Sequence, residues 1–467
     1  MAYTELFARL AAQGAMIERL SSDSRRASPG TAFFAYPGEG ADGRAYIGDA
    51  LQRGAAAVLW EEEGLTWRSE WRVPNAAVRG LKREAGRIAH EFHGRPSDSL
   101  WMCGVTGTNG KTSCSHWIAG LLSRKSIPSR VIGTLGSGIP GALQPVVNTT
   151  PDALEVHALL KNFVKEKAQA VAMEVSSHGL AQGRVNGVAF DCALFTNLTQ
   201  DHLDYHGNMH AYGEAKARLF ETEGLGSAVL NLDDPFGVRL AQRLAGGTRV
   251  IGYGFAAAPA VRVDEYLSAA LLGQIDTGQL GRFNASNALG VLGCLIAYGI
   301  PLREATALLV ALPPVPGRME RVADEPLVVV DYAHTPDALE KLLQALRAVA
   351  QQRGGRLSIV FGAGGDRDAA KRPLMGAVAA RLADYALATS DNPRNEDPLK
   401  IIEQIGLGEV EPDRARAIDR IISRAAKNDV IVIAGKGHEA YQEIAGERLP
   451  FSDAAVARAA VARRRPA

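Results

Sequence analysis

Short runs of apolar residues alternate with helix-like stretches along most of the chain. Such runs lie at 101–105, 169–175, 192–198, 227–232 and 248–254, and later at 326–332, 356–362, 385–391 and 429–435. Each run is almost uniformly apolar, which is typical of a strand buried on both faces of a sheet. Strands that alternate with helices indicate parallel sheets covered by helices. The pattern therefore predicts an α/β protein.

The same pattern predicts three domains. Residues 1–98 mix strand and turn signals and predict a small α/β N-terminal domain. Residues 99–317 predict a central, P-loop-type, mononucleotide-binding parallel sheet, and residues 318–467 a C-terminal, Rossmann-like parallel sheet. A linker is expected at 313–320, where three prolines exclude a helix or a central strand.

Composition and charge narrow the class of protein. The 467 residues are 46% hydrophobic and 22% charged, as in ordinary globular proteins. Lys and Arg number 52 against 51 Asp and Glu, so no global basic field attracts nucleic acid or an anionic membrane. An anionic ligand must therefore be held by local groups.

The N-terminal residues lack the charged and apolar regions of a signal peptide, and no apolar run reaches the ~18 residues that span a bilayer. We therefore expect a soluble, cytoplasmic protein. Cys103, Cys114, Cys192 and Cys294 form no CxxC pair and no disulfide framework, which predicts buried, reduced thiols.

A glycine-rich loop, TGTNGKTS, follows the first apolar run of the central region and precedes a helical stretch. Gly107 and Gly110 allow the backbone to approach an anion, and Lys111 can reach the outer phosphates of a nucleotide. Thr112, at the helix start, can bind Mg²⁺. The spacing departs from the ordinary P-loop, because the expected first glycine position is Val105. Strand, loop and helix nevertheless follow in the order that a phosphate site requires.

A metal ion at these phosphates needs further ligands. Glu174 ends one apolar run and His202 follows the next, so both are expected at the carboxyl edge of the sheet beside the loop. The alternatives are a capping carboxylate and an ordinary hydrogen-bonded histidine. A zinc helix through His202, His206 and His210 is not expected, because HLDYH lacks the Glu of HExxH and Gly207 interrupts the helix.

The apolar runs of the last third end in DYAHTP (331–336), FGAGGDRD (361–368), SDNPRNEDP (390–398) and AGKGHE (434–439). Ligands of open parallel sheets bind outside such strand ends. A dinucleotide fingerprint is not expected in GAGGDR, because its third glycine position is Arg367. Arg367 and Arg394 can clamp carboxylates. Asp391, Asn392 and Glu439 can accept hydrogen bonds from an ammonium group, so the motifs predict an amino-acid ligand with more than one carboxylate.

These motifs resemble those of the Mur ligase family. The similar segments are GVTGTNGKT, MEVSSHGL, FTNLTQDHLDYHG, GRFNASNALG, GRME, VDYAHTPDALE, GAGGDRD, DNPRNEDP and AGKGHE, in the family's order. The resemblance extends from DSRRASPG near Asp23 to FSD near Ser452. It implies a three-domain, ATP-dependent ligase of peptidoglycan synthesis. Such an enzyme joins an amino acid to the terminal carboxylate of UDP-N-acetylmuramoyl-L-Ala-D-Glu (UDP-MurNAc-L-Ala-D-Glu) through an acyl phosphate.

The resemblance also implies the roles of individual residues at the nucleotide. ATP would bind Gly107, Thr108, Asn109, Gly110, Lys111, Thr112 and Ser113. Asn284 or Asn287 would contact the adenine, Asp331 the ribose, and Arg318 would lie at the hinge between the last two domains. The catalytic residues would be Lys111, Glu174, His202 and Lys216.

Mg²⁺ would be held, by the same resemblance, by Thr112, Glu174, His202 and Lys216. Lys216 matches the lysine that the family carbamylates with CO₂, so it would be an N6-carboxylysine. From the residues alone, Lys216 would be interpreted as a solvated lysine on a helix.

For the nucleotide sugar, the resemblance implies a uridine diphosphate site at Ser22, Ser24, Glu39, Gly40 and Ala41. The muramoyl-peptide site would comprise Asn148, Thr149, Thr150, Ser176, Gln182 and Arg184. Glu39 departs from the family pattern, because a carboxylate repels a diphosphate unless it faces the uracil or acts through its backbone N–H.

The motif DNPR goes with meso-diaminopimelate in the family, where the arginine grips the distal carboxylate that lysine lacks. The amino acid would contact Arg367, Asp391, Asn392, Pro393, Arg394, Gly435 and Glu439. The implied partners are ATP, UDP-MurNAc-L-Ala-D-Glu and meso-diaminopimelate, with no nucleic acid and no membrane, and the implied state is a monomer.

Three alternatives stay open at this point. An L-lysine-adding ligase of the same family would lack the arginine of DNPR. A folylpolyglutamate synthase-like ligase would share GTNGKT but lack the DSR segment and DNPR. A non-catalytic nucleotide switch or scaffold need not retain Lys216, His202 and the Arg367/Arg394 pair together.

Overall fold

The computed structural model describes residues 3–244, 246–256, 261–272, 277, 279–310 and 312–464. Over these residues the chain forms three larger sheets flanked by helices, and a separate hairpin. The predicted α/β class is confirmed, since each apolar run named above contains a strand. No helix of the described residues is long and apolar enough to cross a membrane.

The first sheet is parallel, with the order β1-β2-β3-β4 over the described residues. Its elements are α1 (Tyr3–Ala12), β1 (Arg19–Ser21), β2 (Thr31–Ala35), α2 (Ile47–Gln52), β3 (Ala57–Glu61), β4 (Asn75–Val78) and α3 (Leu81–Phe92). Side chains alternate across the sheet, so that Phe34 and Leu59 share a core with α1 and α3. Phe33 and Val58 pack with α2 on the other face.

The second sheet has the order β13-β12-β11-β10-β5-β9-β6-β7-β8 among the described residues. Its strands are β5 (Trp101–Thr106), β6 (Ser129–Gly133), β7 (Gly136–Ile139), β8 (Ala142–Gln144), β9 (Ala170–Glu174), β10 (Cys192–Phe195), β11 (Ser227–Asn231), β12 (Arg249–Gly254) and β13 (Glu265–Ser268). Its helices are α4 (Lys111–Arg124), α5 (Ala153–Lys165), α6 (Ser177–Ala181), α7 (Leu203–His206), α8 (Met209–Ala217), α9 (Pro235–Arg243), α10 (Arg282–Tyr298) and α11 (Leu302–Leu308). The strands are parallel except for β7 and β8, which form an antiparallel edge. That edge was not predicted, because its short strands contain glycine and no apolar run.

The order of the central strands positions the candidate site. Strands β10, β5 and β9 are neighbours, with Val105 opposite Glu174 and Thr106 opposite Phe195. The segments that follow these three strands therefore meet at one edge of the sheet. Helices α4 and α10 cover one face of the sheet, and α5 and α9 cover the other.

The third sheet has the order β14-β15-β18-β16-β17 over the described part of the chain. Its strands are β14 (Glu320–Asp324), β15 (Leu327–Asp331), β16 (Leu357–Phe361), β17 (Tyr385–Ala388) and β18 (Val430–Ala434). Its helices are α12 (Pro336–Arg353), α13 (Lys371–Leu382), α14 (Pro398–Ile405), α15 (Arg414–Ser423) and α16 (Asp453–Arg463). Strands β19 (Tyr441–Ile444) and β20 (Glu447–Pro450) form the separate hairpin. The antiparallel β14 and this hairpin were not predicted; the domain boundaries at 98/99 and 317/318 stay predictions.

Candidate active site

The loop after β5 requires glycine at two positions. Gly107 has φ +150° and Gly110 has φ +88°. A Cβ atom at Gly107 would lie 1.9 Å from Oγ1 of Thr196, and one at Gly110 would lie 2.5 Å from Oδ1 of Asn287. Helix α4 begins directly after Gly110, and no side chain caps its N-terminus. The first amides of the helix are therefore open to an anion.

Lys111 folds back onto this loop. Its Nζ donates hydrogen bonds to the carbonyl oxygens of Gly107 and Thr108, at 2.9 and 3.0 Å. Burial lowers the pKa of Lys111, whereas Glu174 and Asp201 raise it. The ammonium group thus lies at the loop with backbone carbonyls as its only hydrogen-bond partners among the described residues, and a phosphate can replace them.

Glu174 is fully buried at the end of β9. Its Oε2 accepts a hydrogen bond from Thr112 Oγ1 at 3.0 Å, and Oε1 accepts one from the backbone N–H of Thr134 at 2.8 Å. A Cβ atom at Gly133 would lie 2.1 Å from Glu174 Oε1, so the carboxylate also needs this glycine. Over the described residues Glu174 forms no salt bridge, and a buried carboxylate with only neutral donors suits a cation.

Lys216, on α8, is buried rather than solvated, with 1% of its surface exposed. Its Nζ donates to the carbonyl oxygen of Gly107 at 3.0 Å and lies 4.3 Å from the centre of the Tyr212 ring. Burial, followed by the nearby charge of Lys111, lowers the pKa of Lys216 well below its usual value. No carboxylate of the described residues pairs with it within salt-bridge distance.

His202 lies between the loop and a group of aromatic rings. It has a left-handed backbone (φ +54°), its Nε2 lies 3.4 Å from a carboxylate oxygen of Asp201, and its ring centre is 4.7 Å from that of His178. Although 44% of the side chain is exposed, desolvation by surrounding atoms lowers the pKa of His202 to about 4; Asp201 opposes this shift, and Lys111 and Lys216 add to it. Gly207 ends α7, so the three histidines of HLDYHGNMH do not share one helix.

A hydrogen-bonded path joins the predicted muramoyl-peptide residues to Glu174. Arg184 donates to the carbonyl oxygen of Thr150 at 2.7 Å and to Oε1 of Gln182 at 2.9 Å. Oγ1 of the buried Thr150 donates to the carbonyl oxygen of Glu174 at 2.9 Å and lies 3.1 Å from Oγ of Ser176. Thr149 contacts Thr134 through their hydroxyls at 3.0 Å, and Asn148 is exposed.

In the N-terminal region, the predicted uridine diphosphate residues lie around β1 and β2. Ser24 is buried, and Ser22 is half-buried. Gly40 and Ala41 lie in the exposed turn after β2. Glu39, in the same turn, pairs with Lys82 at 2.7 Å. The charge of Glu39 is thus balanced by a neighbouring cation, and a diphosphate at this turn stays a prediction.

The predicted nucleoside residues form two groups. Asn284 and Asn287 are buried on α10, and Asn287 lies against Gly110. Arg318 donates to Thr112 Oγ1 at 3.1 Å, so a residue just before β14 reaches the phosphate loop.

Asp331 accepts backbone hydrogen bonds from Met319 and Ala333 at 2.7 and 2.8 Å, and both of its oxygens are thus engaged. Its contact with a ribose stays a prediction. Ser113 is buried at the start of α4.

At the C-terminal sheet, Asp391, Asn392, Arg394, Lys436 and Glu439 form a cluster, which we call the amino-acid rim. Asn392 donates to Oε2 of Glu439 at 2.8 Å and accepts from Nζ of Lys436 at 2.8 Å. Lys436 is fully buried and also lies 3.1 Å from Oε2 of Glu439 and 4.0 Å from Oδ1 of Asp391. The rim therefore alternates positive and negative groups, as a zwitterionic ligand requires.

Arg394 is held in a strained, left-handed conformation with φ +51°. Its backbone pairs with Glu443 and Ala445 around β19, and its guanidinium donates to the carbonyl oxygen of Gly365 at 2.6 Å. Glu443 lies 3.7 Å from its Nε. The guanidinium is thus held by a backbone carbonyl, and the Glu443 carboxylate lies too far from it for a hydrogen bond.

The remaining predicted rim residues differ in burial. Arg367 is exposed, and no hydrogen bond of its side chain is among those found in the described residues. Pro393 is buried, with its carbonyl so close to Gly365 that a Cβ atom there would lie 1.9 Å away. Gly435 has φ +111°, and a Cβ atom there would lie 2.5 Å from Oδ2 of Asp391.

Three residues with polar contacts at the site were missed from the sequence. Thr134 binds Glu174, Asn197 accepts from the backbone N–H of Asn109 at 3.0 Å, and Lys436 organises the rim. Lys436 could have been found, because it stands inside AGKGHE at the carboxyl end of β18. Asn197 and Thr134 also follow strands, but nothing in their local sequence distinguishes them from capping residues.

Comparison with known families gives three matches along the chain. The model described as "Mur ligase family, catalytic domain" matches residues 16–92, "Mur ligase middle domain" matches 105–295, and "Mur ligase, glutamate ligase domain" matches 317–437.

Individual proteins match over nearly the whole chain. The UDP-N-acetylmuramoyl-L-alanyl-D-glutamate–2,6-diaminopimelate ligase of Chromobacterium violaceum is 49% identical, covering 96% of this chain and 95% of that protein. The protein of the same name from Janthinobacterium sp. is 49% identical, covering 93% and 92%. A solved structure of a ligase of this name is 35% identical and superposes with a TM-score of 0.65 over 96% of this chain and 95% of that one.

Proposed function

The chain belongs to the Mur ligase family, and we propose that it adds meso-2,6-diaminopimelate to UDP-MurNAc-L-Ala-D-Glu at the expense of ATP, in peptidoglycan precursor synthesis. The observation that carries the proposal is the position of Thr112. Its Oγ1 contacts both Glu174 of the central sheet and Arg318 from the start of the last region. The phosphate loop, a buried carboxylate and an arginine from the start of the last region therefore meet at one hydroxyl, which supports a ligase that combines substrates from separate regions.

The reaction follows from the chemistry of a carboxylate, which is a poor electrophile until it is activated. A carboxylate oxygen of the dipeptide attacks the γ-phosphorus of ATP, and the bond to the ADP oxygen breaks. Lys111 and the open amides of α4 balance the charge of the transferring group. The amine nitrogen of the amino acid then attacks the carbonyl carbon of the acyl phosphate, phosphate leaves with the bonding electrons, and the amine loses one proton.

A divalent cation fits the residues around Glu174. The carboxylate is fully buried, receives only neutral hydrogen bonds and adjoins the Thr112 hydroxyl. Thr112, Glu174, His202 and a carbamate on Lys216 would hold Mg²⁺. Bound there, the ion would supply positive charge to the phosphates.

We assign the carbamate to Lys216 because of its surroundings. The amine is 1% exposed, donates only to the carbonyl oxygen of Gly107 among the described residues, and has no carboxylate partner there. A free amine adds to CO₂ and releases one proton, which gives an anionic group with two oxygens. Such a group would supply the anionic ligand that the cationic lysine itself cannot provide.

Arg394 supports diaminopimelate over L-lysine as the substrate. Its guanidinium is fixed at the rim, and its ion pair with Glu443 is long, at 3.7 Å, so the distal carboxylate of diaminopimelate can form a closer pair with it. L-lysine would bring a second cation to this arginine and could not supply that carboxylate.

The test is phosphate release from ATP in the presence of UDP-MurNAc-L-Ala-D-Glu and either amino acid. We expect release with meso-diaminopimelate and little with L-lysine, and a product that is heavier by one diaminopimelate residue. Release with L-lysine alone would contradict the proposed specificity, and ATP turnover without the UDP-dipeptide would contradict the ligase mechanism. A Lys111→Ala variant should lose both the phosphate release and the formation of the heavier product.

The cytoplasmic location and the monomeric state belong to the same proposal and rest on the family resemblance. Light scattering on the purified protein would test the monomer.

A further inference from the structure

Three cysteines from separate elements meet in the core of the central sheet. Cys103 lies on β5, Cys192 on β10 and Cys294 on α10, and all three are buried. Their Sγ atoms all lie within 4.8 Å of one another, and those of Cys103 and Cys294 are 3.8 Å apart. We call these residues the thiol triad.

The fold explains why the sulfurs converge. Cys103 and Cys192 are register partners on adjacent parallel strands, so their side chains point to the same face of the sheet. Helix α10 covers that face, and Gly293 allows it to approach closely, since a Cβ atom there would lie 2.6 Å from Cγ1 of Val229. Cys294, the next residue, is thereby brought to the two strand sulfurs.

Among the described residues, the surroundings of the triad are apolar, and the one cation that acts on Cys192, Arg249, is paired with Glu265. The same core contains Val105, Leu194 and Leu292, all with 0% exposure. Burial raises the pKa of the Cys294 thiol. A monovalent or divalent ion bound by three thiolates would leave a net negative charge here, which is costly in an apolar core. A trivalent ion bound by three thiolates is neutral.

We propose that the thiol triad binds one trivalent, thiophilic ion of the arsenite class as a neutral tris-thiolate. Three As–S bonds form and three As–O bonds of As(OH)₃ break, and each thiol proton leaves in one of three water molecules. No electron is transferred and no net proton is released. Sulfurs 3.8 to 4.8 Å apart place an equidistant atom in their plane about 2.2 to 2.8 Å from each, so a small inward movement of the sulfurs reaches metal–thiolate bond lengths.

The bound ion would link β5, which leads into the phosphate loop, to two elements whose residues contact that loop. Strand β5 leads to Gly107, β10 leads to Thr196 and Asn197, and α10 carries Asn287. Because the triad is fully enclosed, entry needs local opening of the core, and uptake should be slow.

The experiment uses the full-length protein without nucleotide, incubated with sodium arsenite and then freed of excess reagent. We expect one arsenic atom per chain by elemental analysis, X-ray absorption that reports three sulfur neighbours, and three of the four thiols unreactive after denaturation. These readouts do not depend on ligase activity, so they stand or fall separately from the proposed function.

Cys114 provides a matched control, because it is fully buried in the same core but lies outside the triad. Cys114→Ala should bind arsenic as the unaltered chain does, whereas Cys103→Ala and Cys294→Ala should lose the three-sulfur site. Equal uptake by Cys294→Ala, or four free thiols after prolonged incubation, would overturn the proposal. Binding of Cu(I) or Zn²⁺ in preference to arsenite, with release of protons, would overturn its charge argument. If a triad variant fails to fold, the proposal is decided by the unaltered chain, through the number of arsenic atoms bound per chain and the number of sulfur neighbours of each arsenic atom.

Discussion

The phosphate loop of the central sheet offers backbone amides and one lysine to its ligand, whereas the amino-acid rim of the C-terminal sheet offers side chains. The loop is continuous from Gly107 to Thr112. Its shape depends on two glycines, because a Cβ atom at either position would clash with a neighbouring side chain. The rim is assembled from the ends of β17 and β18 and from the hairpin that fixes Arg394. A phosphate group common to all nucleotides can be held by backbone, but discrimination between amino acids needs side chains whose charges match one ligand.

The first prediction concerns the central site, where the largest effect is expected. Lys216→Ala should lower the rate of phosphate release by at least about 10³-fold, because positioning and charge balance supply most of the catalysis of phosphoryl transfer. Short-chain carboxylic acids or high bicarbonate should restore part of the rate by providing the missing carboxylate. Steady-state phosphate release with all three substrates measures this.

Lys165→Ala is the control, because Lys165 lies on the exposed surface of α5. This variant should keep the full rate and show no response to added acids. Full activity of Lys216→Ala would remove the carbamate from the mechanism and leave Lys216 as a structural residue of the core.

The contrast between loop and rim also explains what the sequence could predict. The loop was predicted from TGTNGKTS because strand, glycines and helix are contiguous, and Glu174 was predicted from its position at the end of an apolar run. The rim was identified only in part. Lys436 was overlooked within AGKGHE, because its burial and its hydrogen bond to Asn392 arise only in the folded chain, and the hairpin of β19 and β20 was not predicted. The burial of Lys216 could not be predicted either, because the apolar and polar residues of α8 are not separated onto distinct faces.

The second prediction tests the rim. Arg394→Ala should raise the KM for diaminopimelate by about 30- to 1,000-fold, equivalent to about 2–4 kcal/mol for a charge-paired contact. The KM for ATP should stay the same, because the phosphate loop does not contact this arginine. Arg381→Ala, at a residue that pairs with Glu340 on the surface, is the control. An unchanged KM for diaminopimelate would mean that Arg394 faces away from the ligand.

The third prediction concerns the contact between the N-terminal and central sheets, where a buried histidine lies beside a close glycine contact, since a Cβ atom at Gly86 would lie 2.2 Å from the carbonyl oxygen of Asn186. His157 on α5 lies 5.2 Å, ring to ring, from His90 on α3, and its Nε2 donates a hydrogen bond to the carbonyl oxygen of Asn186 at 3.0 Å. Burial lowers the pKa of His157 to about 3; the Asn186 carbonyl opposes this, and His90 and His93 add to it. The unfolded chain binds a proton near pH 6.5 and the folded chain does not. The histidine therefore contributes its full stability above that pH and loses it as the pH falls toward 3.

Stability to denaturant should accordingly decrease by up to about 1.4 kcal/mol per pH unit for this histidine below pH 6. Unfolding curves at several pH values between 7 and 4 measure the slope. His157→Gln, which keeps a donor but does not titrate, should have a shallower slope. Parallel slopes for the two proteins would contradict the assignment.

The smallest effect is expected at the exposed turn after β2. The proposed anion contact there depends on a surface ion pair, rather than on backbone amides as in the loop or on clustered side chains as in the rim. Glu39 and Lys82 form an ion pair whose side chains are 54% and 37% exposed, and such pairs contribute about 0–1 kcal/mol. Lys82→Ala should nevertheless raise the KM for the UDP-dipeptide by up to about 5-fold, since the carboxylate is then left unpaired near the diphosphate. Lys82→Ala combined with Glu39→Gln should bring the KM back, and the single variant's defect should shrink as salt is added. A defect that persists in the double variant would instead indicate that Lys82 contacts the diphosphate itself, and the turn would then resemble the rim rather than the loop.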